Sequence, residues 1–304
     1  MPILLDYKQL EKLKQKRKAR KMKRQRDNIS MERTLKKSMD KLWKEVLLPA
    51  SEEIRDMIKR KAPASDIAEL MDRVLRKAEF EYGLASDEFI TEWQLSVDRQ
   101  TRTEMLKGLQ ESLGVDMTAF YDTPEIKDVL ESSTLEMSQL IKTIPNDYLS
   151  DVARAVNDNF TGRPLPENRT LLQQVQHLGK VTKNRSKVIA RDQTKKLSSA
   201  LNRHRQESIG VEMYIWRTVK DERVVGKPGG RYPKGNKAHG NHWMMDGKYC
   251  RWDDPTVYST DKGKTWKKRK SDMPKNNPGD DILCRCHAEP VIDIQQIIKF
   301  AEAA

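Results

Sequence analysis

The stretch "NNPGDDILCRCHAEPVID" (276–293) brings Cys284, Cys286 and His287 close together in sequence. Thiolate sulfur and imidazole nitrogen are the ligands of a tetrahedral zinc ion, which takes four. Residues two apart on an extended chain point to the same side, so Cys284 and Cys286 can share one ion. Cys250 and His242 lie upstream and complete a set of four from three segments, with His239 as a further candidate. A small region with a weak core gains from such a staple. The bland alternative is a pair of free cysteines facing a half-buried surface, and Cys-x-Cys is a less typical zinc spacing than Cys-x-x-Cys. Structural zinc is therefore an expectation here, and no other cofactor is expected. A second alternative is a metal-dependent nuclease or hydrolase, because "HGNHWMMDG" offers His239, His242 and Asp246. The sequence has no His-Glu-x-x-His, no phosphate-binding glycine loop before a helix and no nucleophile elbow.

A second constellation sits upstream, in "IARDQTKKLSSALNRHRQESIGVEMYIWRTVKDERV". Arg191, Gln193, Thr194 and Asn202 fall on a helix. Trp216, Thr218, Asp221 and Arg223 follow on a strand and its turn. Groups of this kind can bond across a helix-to-strand joint: Arg191 and Gln193 to strand-end carbonyls, Asp221 to the guanidinium of Arg205 or Arg191. Trp216 would be the apolar anchor.

The elements that must carry these residues change character near Gly210. Before it, apolar residues recur at helical spacing, as in Met31, Leu35, Met39, Leu42 and Val46. Breakers divide the pattern into helices over 65–82, 86–114, 124–145, 146–160, 167–178 and 182–209, with Pro49 ending or kinking the one before them. After it, 211–219 alternates like a strand, 242–252 reads as an Asp-Gly hairpin, 257–268 as a second hairpin, 282–286 as a short strand and 293–303 as a closing helix. The expected class is α+β: an elongated, mostly helical N-terminal two-thirds, then a small antiparallel β-rich part with a closing helix. The expected divisions are a mobile basic arm (1–30), a helical domain (31–210) and a β-rich domain (211–304).

The chain has 304 residues and a formal net charge of +13. Residues 8–26 hold eleven Lys/Arg and one acid, and residues 217–275 hold sixteen against seven. Such ends suit a polyanion, double-stranded DNA by charge. The expected contacts are Lys14, Lys16, Arg17, Lys18, Arg20, Lys21, Lys23 and Arg24 in the arm, and Lys267, Lys268, Arg269 and Lys270 in the β part. In that arm Leu10, Leu13 and Met22 are too few to bury much, which is why mobility is expected. No apolar run is long enough to cross a membrane, no secretory signal is evident, and three cysteines do not make a disulfide framework. A reducing cytoplasm is the expected place of assembly.

Five stretches in order carry a resemblance: "LIKTIPNDYLSDVARAV" (140–156), "IARDQTKKLSSALN" (189–202), "GVEMYIWRTVKDERV" (210–224), "DGKYCRWDDP" (246–255) and "PGDDILCRCHAEPV" (278–291). Over about residues 135–292 the sequence resembles the phage Mu F-like minor head protein family. The resemblance implies a non-enzymatic virion part, acting in head morphogenesis at the portal or inner capsid and near packaged DNA. Its partners would be the portal protein, the major capsid protein or both, with no membrane and no small-molecule substrate. The signature positions it implies are Arg191, Gln193, Thr194, Asn202, Gly210, Trp216, Thr218, Asp221, Arg223, His242, Asp246, Gly247, Pro278, Gly279, Cys284, Arg285, Cys286 and Pro290. One departure is the longer stretch "VGKPGGRYPKGNKAHGN", which leaves either His239 or His242 as the counterpart of the family histidine.

Overall fold

A computed structural model describes residues 7–16, 18–22, 28–116, 124–219 and 241–302. The class is α+β, with helices through the N-terminal two-thirds, a small antiparallel sheet and a closing helix. The helices are α1 (Tyr7–Gln15), α2 (Ile29–Leu42), α3 (Leu48–Lys59), α4 (Ala64–Leu113), α5 (Pro124–Phe160), α6 (Leu171–Glu207) and α7 (Ile294–Glu302). The strands are β1 (Met213–Arg217), β2 (Tyr249–Arg251), β3 (Val257–Tyr258), β4 (Lys267–Lys268) and β5 (His287–Pro290).

Contacts group the chain into two compact units, and the division does not fall at residue 210. One unit takes 29–95 and 132–193; the other takes 1–28, 96–131 and 194–304. Helices α4, α5 and α6 each give one part to each unit.

In the first of these units the sequence breakers do not break. Helix α4 runs through Gly83, α5 through Pro145 and α6 through Gly179. One glycine costs only about 1 kcal/mol in a helix, which tertiary packing overrides. Gly179 also has a packing reason: a Cβ there would stand 3.3 Å from the Trp43 ring. Trp43 in turn meets Tyr148 edge-on, with ring centroids 5.1 Å apart. Pro49 does not end its helix either. A π-turn at Trp43–Leu47 precedes it and joins α2 to α3. Such a turn accommodates the missing N–H and the ring of the proline. Helix α6 starts at a capping box: the Thr170 hydroxyl accepts from the Gln173 amide at 3.3 Å, and the Gln173 side chain accepts from the Thr170 amide at 2.9 Å. Arg185 on α6 reaches Asp147 and Thr143 on α5.

The second unit has two cores. One joins Leu13 and Met22 to Met105, Leu109 and Leu113 of α4, to Ile209 and Val211, and to Ile294, Ile297 and Ile298 of α7. The expectation of a mobile N-terminal arm is corrected for 7–16 and 18–22. Leu13 is fully buried and Met22 is 4% exposed. Met22 packs where Gly108 leaves room, since a Cβ on Gly108 would lie 2.4 Å from the Met22 methyl. The second core is that of the sheet, in the order β2-β1-β5, all antiparallel, with Tyr214 opposite Cys250 and Trp216 opposite Ala288. A separate hairpin pairs β3 with β4, as the sequence suggested. Asp293 caps α7, accepting from the Gln295 amide at 2.9 Å.

Two local expectations fail. Residues 242–252 do not form a hairpin: His242–Met245 is a 3-10 turn, and only 249–251 is strand, paired with β1. Residues 282–286 are not a strand. Leu283 has φ of 57°, the Cys284 amide closes a turn on the Asp281 carbonyl at 2.9 Å, and the strand begins at His287.

Candidate metal centre

The 3-10 turn after Asn241 sets His242 against the turn that precedes β5. Nδ1 of His242 lies 3.5 Å from Sγ of Cys284 and 3.5 Å from Sγ of Cys286. All three ligand atoms fall within 4.8 Å of one another, and all three residues are buried. This His/Cys/Cys cluster can hold a metal ion. The two cysteines converge because the left-handed Leu283 brings the chain round at Cys284, not because they share a strand face. Arg285 between them is half-buried.

The surroundings of the cluster are specific. Nε2 of His242 is 3.0 Å from Oδ2 of Asp281, and the Asn276 side chain donates to Oδ1 of the same carboxylate at 2.6 Å. Asp281 thereby favours the tautomer that leaves Nδ1 free toward the thiols. The Gly279 amide donates to Cys284 Sγ at 3.4 Å. The Trp216 ring stands edge-on to His242, with centroids 5.6 Å apart.

Electrostatics set the three groups of the cluster apart. Burial opposes charge on His242, but hydrogen bonds to Asp281 and Cys284 outweigh it and push its pKa up to about 9. A hydrogen bond from Cys286 holds the Cys284 thiol well below the usual range, and the same contact pushes Cys286 well above it. A metal ion would displace protons from these groups and take two thiolates and a neutral imidazole.

Cys250 does not belong to this set. It is fully buried on β2, with its thiol pKa raised by burial and moderated by Arg269 and Tyr214. Asp246 does not join it either: its Oδ1 accepts the Thr218 amide at 3.1 Å. Of His239, His242 and Asp246, the set weighed for a hydrolytic site, His242 alone belongs to the cluster among the described residues. His239, Asp221 and Arg223 lie outside the described residues, as do Arg17, Lys23 and Arg24 of the arm.

Other signature residues among those described hold structure together. Trp216 is fully buried. Gly247, with φ of 77°, donates its amide to the Trp216 carbonyl at 2.8 Å. Pro278 and Gly279 are buried, and α6 passes so close that a Cβ on Gly279 would stand 2.0 Å from Ser199 Oγ. Thr194 is buried on α6, and Asn202 and Arg191 are half-buried there. Gln193 does not reach a strand-end carbonyl. Its amide donates to Glu136 on α5 at 2.9 Å. Arg205 bonds to Asp98 and Thr101 on α4.

Three features of the centre escaped the sequence reading. Asp281 and Asn276 were visible only as loop residues. Arg269 sat in a basic run, yet it is 4% exposed and donates to the carbonyls of Val257 (3.2 Å), Pro274 (2.9 Å) and Asn276 (2.8 Å). Its guanidinium lies 5.4 Å from the Trp216 ring centroid. The expectation that Arg269 contacts DNA is corrected: it braces the core. A basic residue flanked by lysines carries no sequence signal of burial. No helix among the described residues is long and apolar enough to cross a membrane.

Comparison with known proteins adds little about activity. No family model matches the chain, and no solved structure matches it. A protein of Haemophilus influenzae (strain ATCC 51907 / DSM 11121 / KW20 / Rd), described as an uncharacterized protein, is 32% identical over 204 residues. That similarity covers 66% of this chain and 38% of the relative, so the chain spans well under two thirds of the relative's length.

Proposed function

We propose that this chain is a non-enzymatic minor head protein of a tailed bacteriophage, acting in head morphogenesis. It would pack on the portal or inner capsid, contact packaged DNA and end in the virion after assembly in the host cytoplasm. The observation that carries this reading is where the shared motifs lie. Trp216, Thr218, Asp246, Gly247, Gly279, Cys284 and Cys286 come from three of the five resembling stretches and meet in one unit, bonded or packed on one another. Residues that build a fold bond to one another in this way, whereas catalytic residues converge on a reacting atom. In this reading the metal is zinc in a structural role, since two thiolates and an imidazole suit it. The experiment is co-expression with the portal and capsid proteins of its own phage. Co-purification, with retention in assembled heads, is the expected result. Free chain beside complete heads would reject the reading, as would metal-stimulated cleavage of DNA.

A further inference from the structure

Residues 257–270 carry six Lys/Arg and one acid. The fold divides them. Arg269 turns inward onto three carbonyls. Lys262, Lys264, Lys267, Lys268 and Lys270 all face solvent, and among the described residues none pairs with a carboxylate. Asp261, the one acid, is turned into its own loop. It accepts from the hydroxyls of Ser259 and Thr265, each at 2.6 Å, and from the Thr265 amide at 2.9 Å. The N-terminal segment differs. There Lys14 pairs with Glu302 at 3.0 Å and Lys21 with Glu289 at 3.2 Å.

Five unpaired like charges on one hairpin repel one another and attract a polyanion. The hairpin is also firm. β3 pairs with β4, and Arg269 ties its far end to Pro274 and Asn276. A charged hairpin held in place loses little entropy when it binds. We infer that this hairpin is the phosphate-binding element of the chain, and that it holds double-stranded DNA without regard to sequence. The inference rests on the reading of the chain as a head protein in contact with DNA. An acidic protein is the less suitable occupant. Protein interfaces are depleted in lysine and centred on apolar anchors, whereas lysine serves phosphate well as a point charge.

The test measures binding of the full chain to two 30-bp duplexes of unrelated sequence across a salt series. With about five phosphates neutralised, log K against log salt should fall with a slope of roughly −4.5, or several-hundred-fold between 50 and 200 mM. Both duplexes should bind alike. Replacing the five lysines with glutamine should flatten the slope toward zero, and each single Lys→Gln change should reduce it by about 0.9. Unchanged metal content and circular dichroism would show that the variants remain folded. A quintuple variant that binds DNA like the parent overturns the inference. So does a parent that prefers polyglutamate to duplex. Head incorporation is scored separately: a variant that loses DNA but still co-purifies with the portal supports the inference and leaves the assembly reading standing.

Discussion

Nε2 of His242 lies 3.0 Å from Oδ2 of Asp281, at the ring position opposite the thiols, which face Nδ1. An outer carboxylate of this kind fixes the imidazole and raises its basicity. Asp281→Ala should weaken metal binding about 10- to 100-fold, and Asp281→Asn, which keeps an acceptor but no charge, should fall between. Competition with a chromogenic chelator measures this. Equal affinity in all three proteins would reduce Asp281 to a loop anchor.

The three cysteines should separate cleanly. Cys284→Ser and Cys286→Ser should abolish bound metal, while Cys250→Ser should retain it, because Cys250 packs with Tyr214 and Arg269 outside the cluster. Elemental analysis of the purified variants decides. Loss of metal in Cys250→Ser, with the fold intact, would return Cys250 to the ligand set.

How far the sequence reveals this site depends on what each residue's role requires. Ligand chemistry is written in residue type, so Cys284, Cys286 and His242 stood out. Which of them meet is set by turns, and Leu283 carries no sequence mark of its left-handed backbone. The closing helix, the strand at 213–217 and the 257–268 hairpin were legible because apolar period and turn residues agree there. Gly83, Pro145 and Gly179 misled because burial along long helices outweighs one weak residue. Arg269 misled because charge says nothing about which carbonyls a guanidinium will find.

Gly279 and Ser199 report on the same joint. At φ of 100° only glycine is comfortable, and a Cβ would stand 2.0 Å from Ser199 Oγ and 2.6 Å from Ser199 Cβ. Gly279→Ala should destabilise the chain by roughly 2–4 kcal/mol, from backbone strain and overpacking together. Adding Ser199→Gly should relieve the steric share and leave about 1–2 kcal/mol of strain. The cycle is read from denaturant midpoints. Strict additivity would mean that the two residues do not touch.

Arg205 on α6 is 1% exposed and bonds to Asp98 and Thr101 on α4. A guanidinium so deep is tolerated only with its partners in place. Arg205→Met removes the cation and leaves Asp98 facing an apolar side chain, which should cost about 3–5 kcal/mol. Arg205→Lys should not restore it, since a single ammonium cannot reach both partners as the planar fork does. Asp98→Leu combined with Arg205→Met should recover most of the loss, because a buried ion pair replaced as a whole is often neutral. Urea unfolding measures this as a shift in midpoint at constant slope. A single variant as stable as the parent would mean that α4 and α6 are held here by apolar contact alone, with the ion pair contributing only orientation.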